Sequence, residues 1–318
     1  MIKNQKRINL AIILYIINKM YIRQFEYLVA LEKERHFGRA AEKCFVSQPS
    51  LSTALNQLED ELGVKIILRD HKFIGFTNEG KKVVEWSKII LTNQKGLIDD
   101  ITLMKDNLGG LLRIGVIPMS SPILPMVSEI LNTHLPSIKI NIEFLGSDNL
   151  QKKLDNYEID AAITYIEDID KKKYENQKLY VENLSLMFGN NLLSEKIISI
   201  TWKEASKMPL CLLSNFMKER ENMDKAFEES NSIPSPKLEC NSIFQLAFHV
   251  MSQNIATIVP SGFSTKNNAF PNTREIPLTE PIVRKPVGLV WEKAEPPFPM
   301  TKALSILLNQ NIEKFDEI

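Results

Sequence analysis

Residues 35–63, RHFGRAAEKCFVSQPSLSTALNQLEDELG, constrain the fold of this chain more than any other stretch. Ala40 and Ala41 are small enough to let a second helix cross the first at close range. Phe45 and Val46 follow at the end of that first helix, and we expect them to close it onto a core. The stretch therefore begins with a short helix that ends in a tight turn.

A second helix follows the turn. Ser47 is a good N-cap, and Pro49 falls in the first turn, where its missing N–H costs nothing. Leucines then recur at helical spacing, at Leu51, Leu55, Leu58 and Leu62. The opposite face carries short polar side chains, at Gln48, Ser50, Ser52, Thr53 and Asn56. Such side chains at the front of a second helix suit a reader of the DNA major groove. By periodicity alone, an ordinary helical hairpin with a capped second helix fits equally well.

A family resemblance favours the first interpretation, a helix that reads the DNA major groove. The pattern A-A-E-x-x-x-V-S-Q-P-S-L-S-x-x-x-x-x-L-E-x-x-L-G resembles the winged helix-turn-helix of LysR-type transcriptional regulators. It is carried here by Ala40, Ala41, Glu42, Val46, Ser47, Gln48, Pro49, Ser50, Leu51, Ser52, Leu58, Glu59, Leu62 and Gly63. The resemblance implies a DNA-binding domain over residues 20–77, with the helix-turn-helix at residues 37–56.

The resemblance also implies which residues touch DNA. After Gly63, a strand around Ile66 and a second strand over residues 73–76 would form the hairpin wing. In the family this wing carries basic residues that meet the DNA backbone or enter the minor groove. The expected DNA contacts are Arg39, Gln48, Pro49, Ser50, Ser52, Thr53, Arg69 and Lys72.

The charge balance gives no sign of a nucleic-acid partner. The 318 residues carry a formal net charge of zero, and residues 21–78 hold 8 Lys or Arg against 8 Asp or Glu. Attraction to phosphate must therefore depend on where the charges sit. A length of 318 residues leaves room for two or three domains.

Cysteine and histidine spacing gives little support to an enzyme or a metalloprotein. The three cysteines, Cys44, Cys211 and Cys240, form no CxxC pair, which fits a reducing cytosol. The four histidines are scattered. Cys211 or Cys240 as a nucleophile, or the two as a redox switch, are alternatives, but their apolar surroundings favour buried structural thiols. We expect no catalytic residue, no metal and no cofactor.

Residues 1–19 are basic and then apolar, like the front of a signal peptide. The apolar run is too short to span a bilayer, and no A-x-A-type cleavage site follows it. Since the LysR-type match begins near Met20, we interpret residues 1–19 as an extension that precedes the true start. The alternative is a solute receptor anchored by this segment, although a receptor has no use for residues 35–63.

Residues 78–108 read as one long helix. Val83, Ile90, Leu97 and Met104 repeat every seven residues, and Ile101 and Leu108 form a second line. A helix packed on its own domain would give a similar pattern. The resemblance implies instead a linker helix that pairs antiparallel with a second copy, giving a homodimer or homotetramer.

From residue 111 the pattern changes to alternating strands and helices, typical of a doubly wound parallel sheet. The fold class is therefore α+β and α/β: a winged helix-turn-helix, a linker helix, and an effector-binding domain over residues 111–318. The resemblance implies two lobes of the periplasmic-binding-protein type. Lobe I would hold residues 111–165 and 286–318, and lobe II residues 166–285.

Ligands of open α/β sheets lie beyond the carboxyl ends of strands, at helix N-termini that favour anions. Three loops have this geometry and supply the expected effector contacts Ser120, Ser121, Ser147, Ser214 and Asn215. Each serine could equally be a helix cap. We expect a small carboxylate or other anion, although Asp148 counts against an anion beside Ser147. The sequence thus predicts a cytoplasmic transcription factor that binds double-stranded DNA and a small effector, with no membrane partner.

Overall fold

The computed structural model describes residues 20–70, 72–103, 110–167, 169–252, 254–264 and 269–315. The predicted extension over residues 1–19 and the heptad positions Met104 and Leu108 lie outside these ranges. The chain divides into two compact units, Met1–Ile101 and Thr102–Ile318. No helix of the described residues is long and apolar enough to cross a bilayer.

Three helices open the first unit: α1 (Ile22–Glu34), followed by the two that the sequence predicts, α2 (Phe37–Lys43) and α3 (Gln48–Leu62). The Ser50 amide donates to Ser47 Oγ over 3.3 Å, so the predicted N-cap is present. Gly63 ends α3 in the left-handed conformation, with φ of 66°. Leucines of α1 and α3 pack with Ala40 and Ala41 in one core. The predicted helix-turn-helix is confirmed.

One expectation about the turn is wrong. Phe45 does not close α2 onto the core, because its side chain is 95% exposed. Its backbone takes a positive φ of 57°, which lets the chain reverse between α2 and α3 but turns the ring toward solvent. Val46 is half-buried and packs against the core.

The predicted wing follows α3. Strands β1 (Ile67–Arg69) and β2 (Phe73–Phe76) form an antiparallel hairpin. The long helix α4 (Asn78–Leu103) begins directly after it. Gly80 allows that close start, since a Cβ at this position would collide with the Ile66 carbonyl.

Helix α4 has two different stretches. Val84 is buried, and Val83, Ile90 and Leu91 pack against the core of the first unit. Further along, Leu97 and Ile101 are exposed. Among the described residues, the apolar side chains of the first stretch pack on the core of the first unit, while Leu97 and Ile101 of the second stretch are exposed.

The second unit contains two α/β lobes. The sheet of lobe I runs in the order β4–β3–β5–β12–β6, and β6 continues into lobe II, where it pairs with β10 and β11. Strands β8 and β9 pair in parallel, and β7 pairs with β11. The strands are β3 (Gly110–Val116), β4 (Ile138–Phe144), β5 (Ala161–Tyr165), β6 (Tyr174–Gly189), β7 (Ile200–Thr201), β8 (Cys211–Leu213), β9 (Leu238–Cys240), β10 (Ala256–Pro260), β11 (Thr273–Thr279) and β12 (Arg284–Glu292).

Helices cover both lobes. A 3₁₀ helix (Pro118–Ile123) leads into α5 (Leu124–His134), and lobe I also holds α6 (Ser147–Asp155) and α10 (Pro299–Gln310), with a final 3₁₀ turn at Ile312–Phe315. Lobe II holds α7 (Trp202–Ala205), α8 (Lys218–Glu229) and α9 (Ile243–Ser252). The parallel pairing of β3 with β4 and β5 is the predicted βαβαβ arrangement.

The chain crosses from lobe I to lobe II at a different position from the one predicted. Residues 174–183 of β6 pair with β12 in the sheet of lobe I, and Leu184 is the first to pair with β10. The boundary therefore lies inside β6, not at residue 166. One continuous strand spans the junction of the two lobes.

Candidate nucleic-acid interface and effector cleft

The front of α3 presents the predicted polar face. Gln48, Pro49, Ser50 and Thr53 are exposed, while Ser52 is half-buried. Ser50 is also tied to the cap, since its hydroxyl lies 2.8 Å from Ser47 Oγ. An exposed helix start with short polar side chains can approach base edges without desolvating a charge.

Arg39 lies on α2 and is largely exposed. One of its Nη atoms donates to the Glu34 carbonyl over 2.6 Å, and Nε lies 3.5 Å from a Glu34 carboxylate oxygen. Gln48 comes close to the same helix, because a Cβ built on Gly38 would lie 3.5 Å from Gln48 Oε1. Arg39 and Gln48 therefore belong to one surface formed by α2 and the start of α3.

Glu59 connects α3 to the wing and was not among the predicted site residues. Its buried carboxylate accepts from the amides of Ile66 and Ile67, over 2.8 and 2.9 Å. Lys65 and Arg69 approach its other oxygen at 3.0 and 3.1 Å. Burial would raise the pKa of Glu59, but these amides and the Lys65 ammonium outweigh it, so the pKa is lowered.

The two wing cations differ in their surroundings. Arg69 pairs with Glu59 and also donates to Asn56 Oδ1, and its side chain is only 26% exposed. Lys72 is exposed at the tip of the hairpin. The charge of Arg69 is thus partly neutralised inside the protein, in contrast to the family-based expectation of an outward grip.

Two of the expected effector contacts, Ser120 and Ser121, are not accessible to a ligand in the cleft. Both lie inside the 3₁₀ helix and are buried. Ser120 Oγ accepts a hydrogen bond from the Tyr180 hydroxyl over 3.0 Å, while Ser121 Oγ has no hydrogen-bond partner. The helix starts earlier than the sequence indicates, at Pro118, which turns both hydroxyls inward.

Ser147 lies where the sequence predicts it, at the start of α6. It lines a cavity of about 390 Å³. Ser214 and Asn215 do not line this cavity; the next three residues do. The remaining walls come from both lobes: Pro118, Phe144, Leu145, Gly146, Asp148, Asn149, Lys152, Phe216, Met217, Lys218 and Asn241.

This cavity combines two helix N-termini with mixed side chains. Residues 146–149 begin α6 in lobe I, and residues 217–218 begin α8 in lobe II. Phe144 and Phe216 are exposed and provide apolar surface from each lobe. The sequence predicts the helix N-termini but not these aromatic residues, because a Phe in or next to a strand usually belongs to the hydrophobic core.

The cysteines are poorly placed for thiol chemistry. Cys211 is fully buried on β8, and burial raises its pKa to about 11. Burial, together with the nearby Glu26 carboxylate, also raises the pKa of Cys44. Cys240 is half-buried on β9 with its Sγ 3.3 Å from the Ser242 carbonyl. Among the described residues, no group of three or more His, Cys, Asp or Glu could hold a metal.

Two protein-family profiles match the chain. Residues 22–81 match the profile described as "Bacterial regulatory helix-turn-helix protein, lysR family", and residues 105–312 match "LysR substrate binding domain". The two matches coincide with the winged helix-turn-helix and with the two-lobed unit.

Curated relatives match over a shorter length. Over 145 residues, the chain is 38% identical to the hydrogen peroxide-inducible genes activator of Pectobacterium carotovorum subsp. carotovorum. It is 37% identical to the DNA-binding transcriptional dual regulator OxyR of Escherichia coli strain K12. Each match covers 45% of this chain and 48% of the relative, so the chain spans about half the length of the curated relatives it matches.

Solved structures match over nearly the whole chain. Full-length OxyR from Pseudomonas aeruginosa is 25% identical, with a TM-score of 0.70 over 91% of this chain and 97% of that one. CbnR complexed with its target DNA is 18% identical, with a TM-score of 0.64 over 92% and 100%. At that identity, the likeness to CbnR concerns the fold alone.

Proposed function

Because the chain belongs to the LysR family of transcriptional regulators, we propose that it binds specific sites on double-stranded DNA and regulates transcription in the cytoplasm. A small molecule held between the two lobes of residues 110–315 would modulate that binding. The exposed polar start of α3 is the observation that supports DNA reading most directly.

In this proposal Gln48 and Ser52 read base edges. A glutamine can pair bidentately with adenine, and such a pair contributes about 1–3 kcal/mol of discrimination. Arg39, Pro49, Ser50 and Thr53 lie on the same exposed front and would position it on the backbone. CbnR has been solved on its target DNA, and that protein shares this fold.

Selection from a random duplex library tests this function. The base preference at each position is measured for the natural chain, for Gln48→Ala and for Gln57→Ala. Gln57 is also exposed on α3, but it lies more than two turns further along the helix. We expect Gln48→Ala to reduce the base preference at one position of each half-site by about five- to a hundredfold. Gln57→Ala should leave the base preference unchanged.

Two results would contradict base reading by α3. The first is a chain that enriches no sequence at all. The second is a Gln48→Ala variant that loses affinity equally for every sequence, since that pattern indicates contact with phosphate alone.

Further along the chain, α4 would join two copies. Trp86 is 64% exposed and Leu97 63% exposed, although both are large and apolar. Exposed large apolar side chains along a long helix suit burial against a partner helix. We therefore propose an assembly built on a homodimer, with one reading helix for each half-site.

The effector would occupy the cavity of about 390 Å³ between the lobes. The starts of α6 and α8 both face it, and free amides at helix N-termini favour an anionic group. Lys152 and Lys218 line the same cavity and add positive charge, whereas Asp148 opposes it. A small carboxylate fits the helix starts, and Ser147 is the predicted serine that supports this site.

Several relatives are named for induction by hydrogen peroxide, but we propose that this chain does not respond through a thiol. Peroxide reacts with thiolates, and a buried Cys211 with a pKa of about 11 stays protonated near neutral pH. The raised pKa of Cys44 acts in the same direction. Non-covalent binding between the lobes is the mechanism that these surroundings support.

A further inference from the structure

Two buried carboxyl groups lie at the junction of the lobes, and neither belongs to the site described above. Glu182 is 3% exposed and sits on β6 two residues before that strand changes partners from β12 to β10. Glu219 is 1% exposed and lies in the first turn of α8, in lobe II. Acidic residues are almost never fully buried unless they are paired.

These carboxyl groups have almost no partners. Glu182 Oε1 accepts from the Tyr165 hydroxyl over 2.9 Å, while its Oε2 has no hydrogen-bond partner. Neither oxygen of Glu219 meets a donor of another residue. The nearby Tyr180 hydroxyl donates to Ser120 instead. Within the described part of the chain, no ion pair neutralises either carboxylate.

The charges around the pair are negative. Burial raises the pKa of Glu182 to about 8, and the Glu219 carboxylate adds to the effect. Burial also raises the pKa of Glu219, and Asp148 at the start of α6 contributes. The titratable groups that act on the pair are therefore Tyr165 on β5, Tyr180 on β6, Asp148 on α6 and Glu221 on α8. Two cations flank Glu219 in the chain, but Lys218 Nζ lies 3.1 Å from Glu221, and Arg220 pairs with Asp224 and Glu239 at 2.8 and 2.6 Å.

A second cavity lies beside a residue that contacts the pair. It measures about 110 Å³ and is lined by Tyr165, whose hydroxyl bonds Glu182, together with Thr164. Ser147, Asp148 and Lys218 line both this cavity and the larger one. The two cavities are thus neighbours. Glu182 and Glu219 line neither of them, but Glu182 is bonded to the wall residue Tyr165 and Glu219 directly follows the wall residue Lys218.

We propose that the effector carries a positively charged ammonium or guanidinium group, which Glu182 and Glu219 bind at the floor of the cleft. The inference rests on the proposed effector site and names the chemistry of its ligand. A cation there would give the three unpartnered carboxylate oxygens the donors that they lack. The rings of Tyr165 and Tyr180 would also face that charge. A carboxylate on the same molecule would reach the starts of α6 and α8, so the ligand class is an amino compound, with or without an acid group.

Matched probes test the charge directly on the full chain. Methylammonium, n-butylammonium and methylguanidinium chlorides are compared with sodium chloride, 1-butanol and methylurea by thermal shift and calorimetry. 1-Butanol and methylurea have nearly the size of n-butylammonium and methylguanidinium but carry no charge. We expect the charged probes to raise the melting temperature and their partners to have no effect. Equal shifts within each pair, or no shift with any charged probe, would overturn the proposal.

The pH dependence gives a second readout. A bound cation requires ionised carboxylates, so binding must release the proton that the buried pair holds. The affinity for methylammonium should therefore rise by about tenfold per pH unit from pH 6 toward pH 8, and level off above. An affinity that does not change over this range would contradict binding at Glu182 and Glu219.

Isosteric variants locate the site. Glu182→Gln and Glu219→Gln should each weaken methylammonium binding by at least about thirtyfold, because each removes one charge but keeps the shape. Glu228→Gln serves as the control, since Glu228 is exposed on the same helix α8. The Gln variants should keep their melting temperature and DNA affinity, which shows that they are folded. Unchanged amine binding in both Gln variants would place the cation elsewhere.

The failure of this inference can be told apart from failure of the proposed function. If acetate or another carboxylate shifts the melting temperature while no amine does, the effector cleft stands and the acidic floor does not bind a cation. If α3 selects no DNA sequence, the regulatory function itself fails, whatever the amines do.

Discussion

At the scale of single residues, Glu59 holds the reading helix and the wing together. Its carboxylate is buried, accepts two wing amides, and pairs with Lys65 and Arg69. The position of β1 relative to α3 thus depends on one ionised side chain. The DNA recognition proposed for α3 and the wing requires that arrangement.

Replacing Glu59 by Gln should destabilise the first unit by about 1–3 kcal/mol, since Lys65 and Arg69 lose their anionic partner and would face an NH₂ group, while the wing amides keep only a neutral acceptor. The lowered pKa of Glu59 sets the pH range. Its stabilisation is complete above the ordinary value of about 4.5 and is lost as the pH falls through the lower folded value. Denaturant unfolding is measured at pH 7 and at pH 3. The difference in unfolding free energy between the natural chain and Glu59→Gln should be smaller at pH 3.

The control for this measurement is Asp60→Asn, which removes an exposed charge from the same helix. It should leave the unfolding free energy nearly unchanged at both pH values. If Glu59→Gln lowers the unfolding free energy as much at pH 3 as at pH 7, the ionised carboxylate is not what stabilises the wing.

Among single residues, exposed polar side chains could be predicted from the sequence more reliably than buried ones. The helical spacing of the leucines places Gln48 and Thr53 on the outer face of α3, and both are exposed. Glu59, Glu182 and Glu219 were missed, because an acidic residue in a helix or strand is normally read as solvated. Their burial results from contacts with segments distant in sequence, which no local pattern encodes.

At the scale of elements, the wing carries two cations in different electrostatic settings. Lys72 is exposed beyond β1, whereas Arg69 is held by Glu59 and Asn56. A cation already paired with a carboxylate releases fewer counterions from DNA than a free one does. We therefore expect Lys72 to contribute more than Arg69 to the sequence-independent DNA affinity of the wing.

Lys72→Ala should lower the slope of log affinity against log salt by about one unit. Arg69→Ala should lower it by less, although it also loosens the wing. Binding to one duplex is measured by fluorescence anisotropy at several salt concentrations, with Lys225→Ala in the effector-binding unit as a control of equal charge. A larger slope change for Arg69→Ala than for Lys72→Ala would show that Arg69 leaves Glu59 to meet phosphate.

The elements themselves were largely predictable, with instructive exceptions. Strand β2 has the predicted bounds, and the βαβ order of lobe I follows from the apolar runs. The first half of β6 was missed because Glu175, Asn176 and Lys178 are exposed and break the apolar run. That half is a strand because β12 pairs with it along its length, a long-range contact.

At the scale of the whole molecule, the proposed regulation requires that a ligand bound to residues 110–315 changes DNA binding by the first unit. Strand β6 passes from one lobe to the other, so a ligand that draws the lobes together acts on a continuous element next to Glu182. A ligand shifts such an equilibrium only through different contacts in the two states. In a paired assembly, that shift would change the spacing of the two reading helices.

The last prediction concerns the pairing of α4. Ile90, a heptad position, packs on the first unit, so its replacement would damage the fold as well as any interface. Leu97 and Ile101 are exposed and give a cleaner test. Leu97→Asp with Ile101→Asp should place charges in the interface at a cost of about several kcal/mol, and light scattering should then detect monomers. Lys81→Asp changes the net charge by the same two units at an exposed position on the opposite face of α4 and should leave the assembly intact. The double variant should still bind a single half-site weakly but lose tight binding to a duplex with two. If it scatters as the natural chain does, the copies associate through another surface, and the exposed stretch of α4 has a different partner.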